Sequence, residues 1–231
     1  MAKLAESRDS DTGDHLDRIR SFVTILAKGL QQTLPDFSNE YIDTLGVASS
    51  LHDIGKVGIP DSVLLKPSRL AREERAVMET HAELGAECIA AIIERLGEDD
   101  FLTVAHEIAL SHHEKYDGTG YPAKLQGNEI PISARIVALA DVYDALVSPS
   151  VYKRPMTHKQ AREIILEGAG QHFDPTIFLA FVDRESEFIE ITERLHASIE
   201  ETAQSHEDLP TTPSGDAVAD FQPAMMLSTR P

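Results

Sequence analysis

Basic residues are scarce in this chain: 21 Lys and Arg stand against 39 Asp and Glu among 231 residues, for a formal net charge of −18 and a pI of about 4.8. A surface this acidic repels nucleic-acid backbones and anionic lipid, because bulk binding to either needs a basic field. Any phosphate the protein handles is therefore handled locally. Cysteine is nearly absent too, and the single Cys88 excludes an intramolecular disulfide. It lies in the apolar run Cys88-Ile89-Ala90-Ala91-Ile92-Ile93 and reads as a small core residue in a reducing cytoplasm. No apolar stretch reaches the roughly 18 residues of a membrane span. The start Met1-Ala2-Lys3-Leu4-Ala5-Glu6 has no signal-peptide core. The expectation is a cytoplasmic protein, and the 42% of hydrophobic residues suffice for one domain with something appended.

Two-residue alternation is almost missing, whereas apolar residues recur at helical spacing, so the chain reads as all-α. His15, Ile19, Phe22, Leu26 and Leu30 step along a first helix that stops near Pro35. A second helix spans 38–51, opened by Ser38 as N-cap and turned off by Gly55. Val77, Met78, His81, Leu84, Cys88, Ile92 and Leu96 form one stripe on the longest helix, closed by Gly97. Further helices are expected over 99–113, 132–147, 158–167 and 174–198. Between them, 115–131 is rich in Gly and Pro with an Asp-Gly turn signal, and reads as an ordered loop, with room for a short hairpin. The stretch 200–231 lacks periodicity and is rich in Thr, Ser, Pro, Asp and Ala, the composition of a disordered tail. The resulting domain plan is a folded unit over 1–199 and a tail over 200–231.

Five places carry residue types that bind metals: His15, the pair His52-Asp53, His81, the pair His112-His113, and Asp141. Each histidine taken singly is more often a satisfied core residue. Jointly they weigh more, because His81 and Asp141 fall in apolar helices where an uncompensated carboxylate costs several kcal/mol. Neighbouring residues on a helix point about 100° apart, so each adjacent pair can serve two adjoining metals, with Asp53 bridging them. A His and carboxylate mixture without Cys suits iron, manganese, zinc or nickel. Lys56, four residues after His52, is the cation that would neutralise a phosphate oxygen beside such metals.

The strings His52-Asp53-Ile54-Gly55-Lys56 and His112-His113-Glu114-Lys115-Tyr116-Asp117-Gly118-Thr119-Gly120-Tyr121-Pro122 resemble the two signature motifs of the HD-GYP family. The resemblance runs over about 5–181 and takes in Ala140-Asp141-Val142-Tyr143-Asp144 and Gln171-His172-Phe173-Asp174-Pro175. It implies an all-α helical bundle of the HD superfamily with a short ordered GYP loop. It further implies metal-dependent hydrolysis of the bacterial messenger cyclic di-GMP, in which a water activated between the metals attacks phosphorus and the 3′-oxygen leaves. The products would be linear pGpG and then GMP.

Residue by residue, the resemblance implies His52, Asp53, His81, His112, His113 and Asp141 as metal ligands, with Asp53 bridging and His15 added from the first helix. Asp53 and Lys56 would carry the chemistry, and Lys56, Lys153 and Tyr121 would line the substrate. Tyr121 is expected to pack and hold the loop, which is also associated with docking of diguanylate cyclase domains. Asp144 is expected to orient a ligand or to cap within its helix. His106, His158, His172, His196 and His206 match no motif position and read as surface or packing residues.

Two departures from the pattern stand out. Asp11 occupies the place of a Glu that binds an additional metal in trinuclear members, so the sequence leaves two or three divalent ions open. Ser150 occupies the place of an Arg that holds the dinucleotide phosphate, a two-point contact that Ser cannot replace. Two alternatives accordingly remain: a catalytically weak cyclic di-GMP sensor or cyclase-docking module, and an HD phosphohydrolase for another cyclic dinucleotide.

Overall fold

Residues 15–34, 37–149 and 154–207 are described by a computed structural model, with side chains placed through residue 197. Ten α-helices occur among the described residues: α1 His15–Leu30, α2 Asn39–Ala48, α3 Asp61–Leu64, α4 Arg72–Glu79, α5 His81–Leu96, α6 Asp100–Ser111, α7 Ile132–Val147, α8 His158–Glu167, α9 Pro175–Asp183 and α10 Glu185–Glu207. The all-α expectation holds, and the described residues contain no strand, only an isolated bridge between Ala169 and Phe173. The 115–131 loop therefore forms no hairpin. It closes instead with a 3-10 turn at Gly127–Glu129.

The helix starts follow their caps. Ser38 accepts the Tyr41 amide at 3.0 Å to open α2, and Asp99 accepts the Phe101 amide at 2.9 Å to open α6. Asp174 caps α9, where Pro175 takes the first helical position.

α1 lies at the centre, burying Leu16, Ile19, Phe22, Val23, Leu26 and Leu30 against α2, α7 and α9. Phe22 stacks on Phe188 with centroids 4.7 Å apart and meets the edge of Tyr143 at 5.1 Å. The Tyr143 hydroxyl, sealed in the core, bonds His158 Nδ1 at 2.7 Å and Thr192 Oγ1 at 2.8 Å. His158 thus packs, as expected of a histidine outside the motifs.

Four local expectations need correction. The stripe beginning at Val77 is broken at Thr80, whose hydroxyl donates to the Val77 carbonyl at 2.7 Å and separates α4 from α5. The buried face of α5 is also rotated from that stripe. His81, Ala82, Gly85, Ala86 and Ile89 point inward, while Leu84 and Leu96 are exposed. Cys88 is exposed with them and is not a core residue. Third, the segment expected as one helix over 174–198 divides at Arg184 into α9 and α10. Helix α10 then continues to Glu207, into the stretch whose composition suggested disorder, and 208–231 lie outside the described residues.

The fourth correction concerns Gly55. It does not close a helix; it sits in a 3-10 turn, Ile54–Gly58, pressed against α5. A Cβ at this position would lie 1.9 Å from the His81 carbonyl oxygen and 2.5 Å from the Gly85 amide. Only glycine permits this approach, which brings His52 and Asp53 up to His81.

Candidate metal centre

Seven of the residues singled out from the sequence converge, in two adjoining groups. Asp53, His81, His112 and His113 form one, and His15, His52 and Asp141 the other, with the potential ligand atoms of each group within 4.8 Å of one another. They come from the start of α1, the turn after α2, the start of α5, the end of α6 and the middle of α7. Asp53 lies between the groups. Its Oδ1 is 3.2 Å from His81 Nε2 and 3.6 Å from His112 Nε2, while its Oδ2 is 3.3 Å from His52 Nε2. The two carboxylate oxygens thus face different groups, as a bridging carboxylate requires. His52 Nε2 is also 3.8 Å from Asp141 Oδ1.

The ring orientations are fixed from behind. His52 Nδ1 donates to the Ser49 carbonyl at 2.8 Å, His81 Nδ1 to the Met78 carbonyl at 2.7 Å, and His112 Nδ1 to the Ile108 carbonyl at 2.9 Å. Each bond places a proton on Nδ1 and turns Nε2 toward the centre, where a bound cation would take the place of any proton it carries. Those Nε2 atoms, together with Asp53 Oδ1, are buried and have no hydrogen-bond partner among the described residues. Unsatisfied buried acceptors are costly; His81 Nε2, His112 Nε2 and Asp53 Oδ1 turned into one group and His52 Nε2 into the other fit a divalent cation in each. His15 differs, because its Nδ1 bonds a side chain, Asp144 Oδ2, at 2.7 Å. Asp144 therefore orients a candidate ligand, one of the two roles expected of it.

Charge within the centre is strongly redistributed. Burial disfavours a protonated His52, but Asp53 and Asp141 outweigh it and push its pKa up to about 9. Burial would raise Asp53, yet Lys56 and His52 hold its carboxyl well below the usual carboxylate range. Lys56 Nζ is 2.8 Å from Asp53 Oδ2, so the cation expected beside the metals is at the centre's edge. His113 is held well below the usual imidazole range by burial and by neighbouring His112 and His81.

Tyr121 stacks on the His113 ring, with centroids 4.8 Å apart and planes 28° from parallel. Its loop is anchored by Glu114, a buried residue that the sequence reading passed over. The Glu114 carboxylate accepts the Ala123 amide at 2.7 Å. Gly118 adopts φ +80°, in keeping with turn chemistry, but Gly120 serves another purpose. A Cβ there would lie 2.3 Å from the Lys115 amide, so this glycine lets the loop fold back on the histidine pair. The loop also borrows support from His172 and Gln171, whose carbonyls accept the Tyr116 and Asp117 amides at 3.1 and 2.8 Å.

Arg18 is a second residue the sequence reading missed. It makes two hydrogen bonds to Asp144, at 2.6 and 3.0 Å. Its signal was its place three residues after His15, on the same helical face. Asp11, Ser150 and Lys153 lie outside the described residues.

A family profile described as HD domain matches residues 1–177. The chain is 51% identical over 195 residues to a cyclic di-GMP phosphodiesterase of Vibrio cholerae, covering 83% of this chain and 39% of that protein. It is 42% identical over 191 residues to the 3′3′-cGAMP-specific phosphodiesterase 2 of the same organism, covering 83% of this chain and 35% of that protein. The chain therefore spans well under half the length of these relatives. Among solved structures, an HDG"Y"P protein of Bdellovibrio bacteriovorus shares the fold with a TM-score of 0.51 at 19% identity, over 73% of this chain and 51% of that one. With the paired histidine motifs folded onto one centre and the profile spanning most of the sequence, the chain belongs to the HD domain family and to its HD-GYP branch.

Proposed function

We propose that this chain is a metal-dependent phosphodiesterase that opens cyclic di-GMP to linear pGpG and carries it on to GMP, in bacterial second-messenger signalling in the cytoplasm. The observation that carries the reading is the convergence of buried Nε2 atoms from His52, His81 and His112, without a hydrogen-bond partner among the described residues, on a carboxylate whose oxygens face two groups. His15, His52 and Asp141 would hold one divalent ion, and Asp53, His81, His112 and His113 the other. The chemistry such ions supply when bound is activation of water and neutralisation of a phosphate oxygen. Asp11 would add a ligand for a third.

The remaining work falls to the chain itself. Lys56, 2.8 Å from Asp53, brings an ammonium to the place where a bound phosphate gathers charge. Lys153 would hold a phosphate of the dinucleotide. Tyr121 covers one face of the His113 ring and holds the loop against it. Together these groups make a positive pocket within a chain of net charge −18, which reconciles an acidic protein with a doubly anionic ligand. The loop around Tyr121 is also the surface we assign to diguanylate cyclase domains, and loss of cyclase binding on deleting its tip would be the check.

A second substrate is favoured by a specific observation: a relative 42% identical to this chain is named as 3′3′-cGAMP-specific. Chromatography of parallel reactions with cyclic di-GMP and 3′3′-cGAMP, after loading with iron, manganese, zinc or nickel, tests both readings. Release of pGpG is the expected result, and preferential cleavage of 3′3′-cGAMP would move the assignment to that substrate. No turnover with any of the metals would overturn the enzyme reading. Cyclic di-GMP binding without turnover would leave a sensor.

A further inference from the structure

We infer that Arg18 is a positioning residue for the pocket of His15, His52 and Asp141, setting that pocket's affinity for a divalent cation without touching the cation. The inference rests on the reading of both groups as metal sites. A histidine ligates through one ring nitrogen, and the hydrogen bond at the other decides which one is available. For His52, His81 and His112 that bond goes to a main-chain carbonyl, neutral and held in place by the turn that carries it. His15 relies on the Asp144 carboxylate instead, at 2.7 Å. A carboxylate behind an imidazole makes its free nitrogen a stronger ligand.

This device has a requirement of its own. Asp144 is only 1% exposed, and a buried carboxylate needs a compensating charge and a fixed orientation. Arg18 supplies both. Its Nε donates to Asp144 Oδ1 at 2.6 Å and its Nη2 to Oδ2 at 3.0 Å, a fork that fixes the carboxylate plane so that Oδ2 faces His15. The same Nη2 donates to Ser148 Oγ at 3.0 Å. Ser148 ends α7 and leads into the segment that carries Lys153, so one guanidinium ties the His15 pocket to the root of the expected phosphate-binding segment. A lysine at this position would keep the charge and lose the fork.

The test is calorimetric titration of the metal-stripped full chain with Mn²⁺, with bound metal counted by elemental analysis after gel filtration. Two classes of site are expected in the wild type. Arg18→Met should weaken one class by about 10- to 100-fold and leave the other within about twofold, with Arg18→Lys in between. Should Arg18→Met fail to fold by circular dichroism, Arg18→Lys carries the test, read by long-range ¹H–¹⁵N spectra of the metal-free histidines. His15 should then leave its single Nδ1–H form for a mixture, while His52, His81 and His112 stay unchanged. Equal Mn²⁺ affinity of both classes in folded Arg18 variants and wild type overturns the assignment, as does equal weakening of both. A wild-type chain that takes up no Mn²⁺ overturns it together with the metal reading beneath it.

Discussion

The two ligand pockets share Asp53 yet are built on different principles. In the pocket of Asp53, His81, His112 and His113, two of the three imidazoles rest on main-chain carbonyls, so their aim is a property of the backbone. In the other pocket, His52 also rests on a main-chain carbonyl, but His15 is aimed by a relay of side chains through Asp144 and Arg18. Backbone supports yield only when the fold yields. Side-chain supports can be retuned by one substitution while the helices stay where they are. The centre thus pairs a rigid half with an adjustable one.

The largest break should come at the shared residue. Asp53→Ala removes the carboxylate that faces both pockets, and turnover should fall by ~10³ or more while circular dichroism stays nearly unchanged. Retained activity would show that the bridge is not needed. Gly55→Ala strikes the rigid half through its scaffold, because a Cβ 1.9 Å from the His81 carbonyl oxygen forces the turn away from α5. A loss of about 3 kcal/mol or more is expected in denaturant unfolding, with metal lost from both pockets alike. That outcome contrasts with the one-pocket loss expected at Arg18.

Acid sensitivity outside the ligands gives a smaller effect. Burial, reinforced by Lys115, lowers the His172 pKa to about 4 against the ordinary 6.5, over the opposing pull of Asp117 and Asp141. The folded chain then binds fewer protons than the unfolded one. The stabilisation from neutral His172 is complete above pH 6.5 and lost as pH falls toward 4, by at most ~3 kcal/mol. Urea midpoints across that range should decline less steeply in His172→Gln, and parallel slopes would count against this origin. Smallest of all, Tyr121→Ala removes the ring stacked on His113 and should cost about fivefold in turnover, with metal content unchanged.

Much of this architecture is legible in the sequence, and the exceptions share a cause. Helical spacing gives the all-α bundle, and the capping residues Ser38, Asp99 and Asp174 mark true helix starts. The histidine and carboxylate pairs announce the centre because such residues are expensive inside apolar helices. Periodicity misjudges α5 because it weighs Leu84, Cys88 and Leu96 above Ala82, Gly85 and Ala86. Close approach to the Gly55 turn selects the small residues for the buried face and turns the larger ones outward. The break at Thr80 is hidden for a related reason, since the apolar pattern runs through it. Arg18 looks like any solvated arginine in the first turn of a helix. Its place three residues after His15 is a faint hint, and its partner on α7, 126 residues away in sequence, gives that hint its meaning.

The outward turn of α5 has a practical side. It leaves the chain's one thiol, Cys88, exposed on the helix whose first residue is His81. Seven residues of helix span about 10 Å. A probe coupled to Cys88 in the unmutated protein would therefore sit within quenching or paramagnetic-relaxation range of an ion at the His81 pocket. The unexpected cysteine gives this chain a native attachment point from which occupancy of the rigid half can be followed in real time.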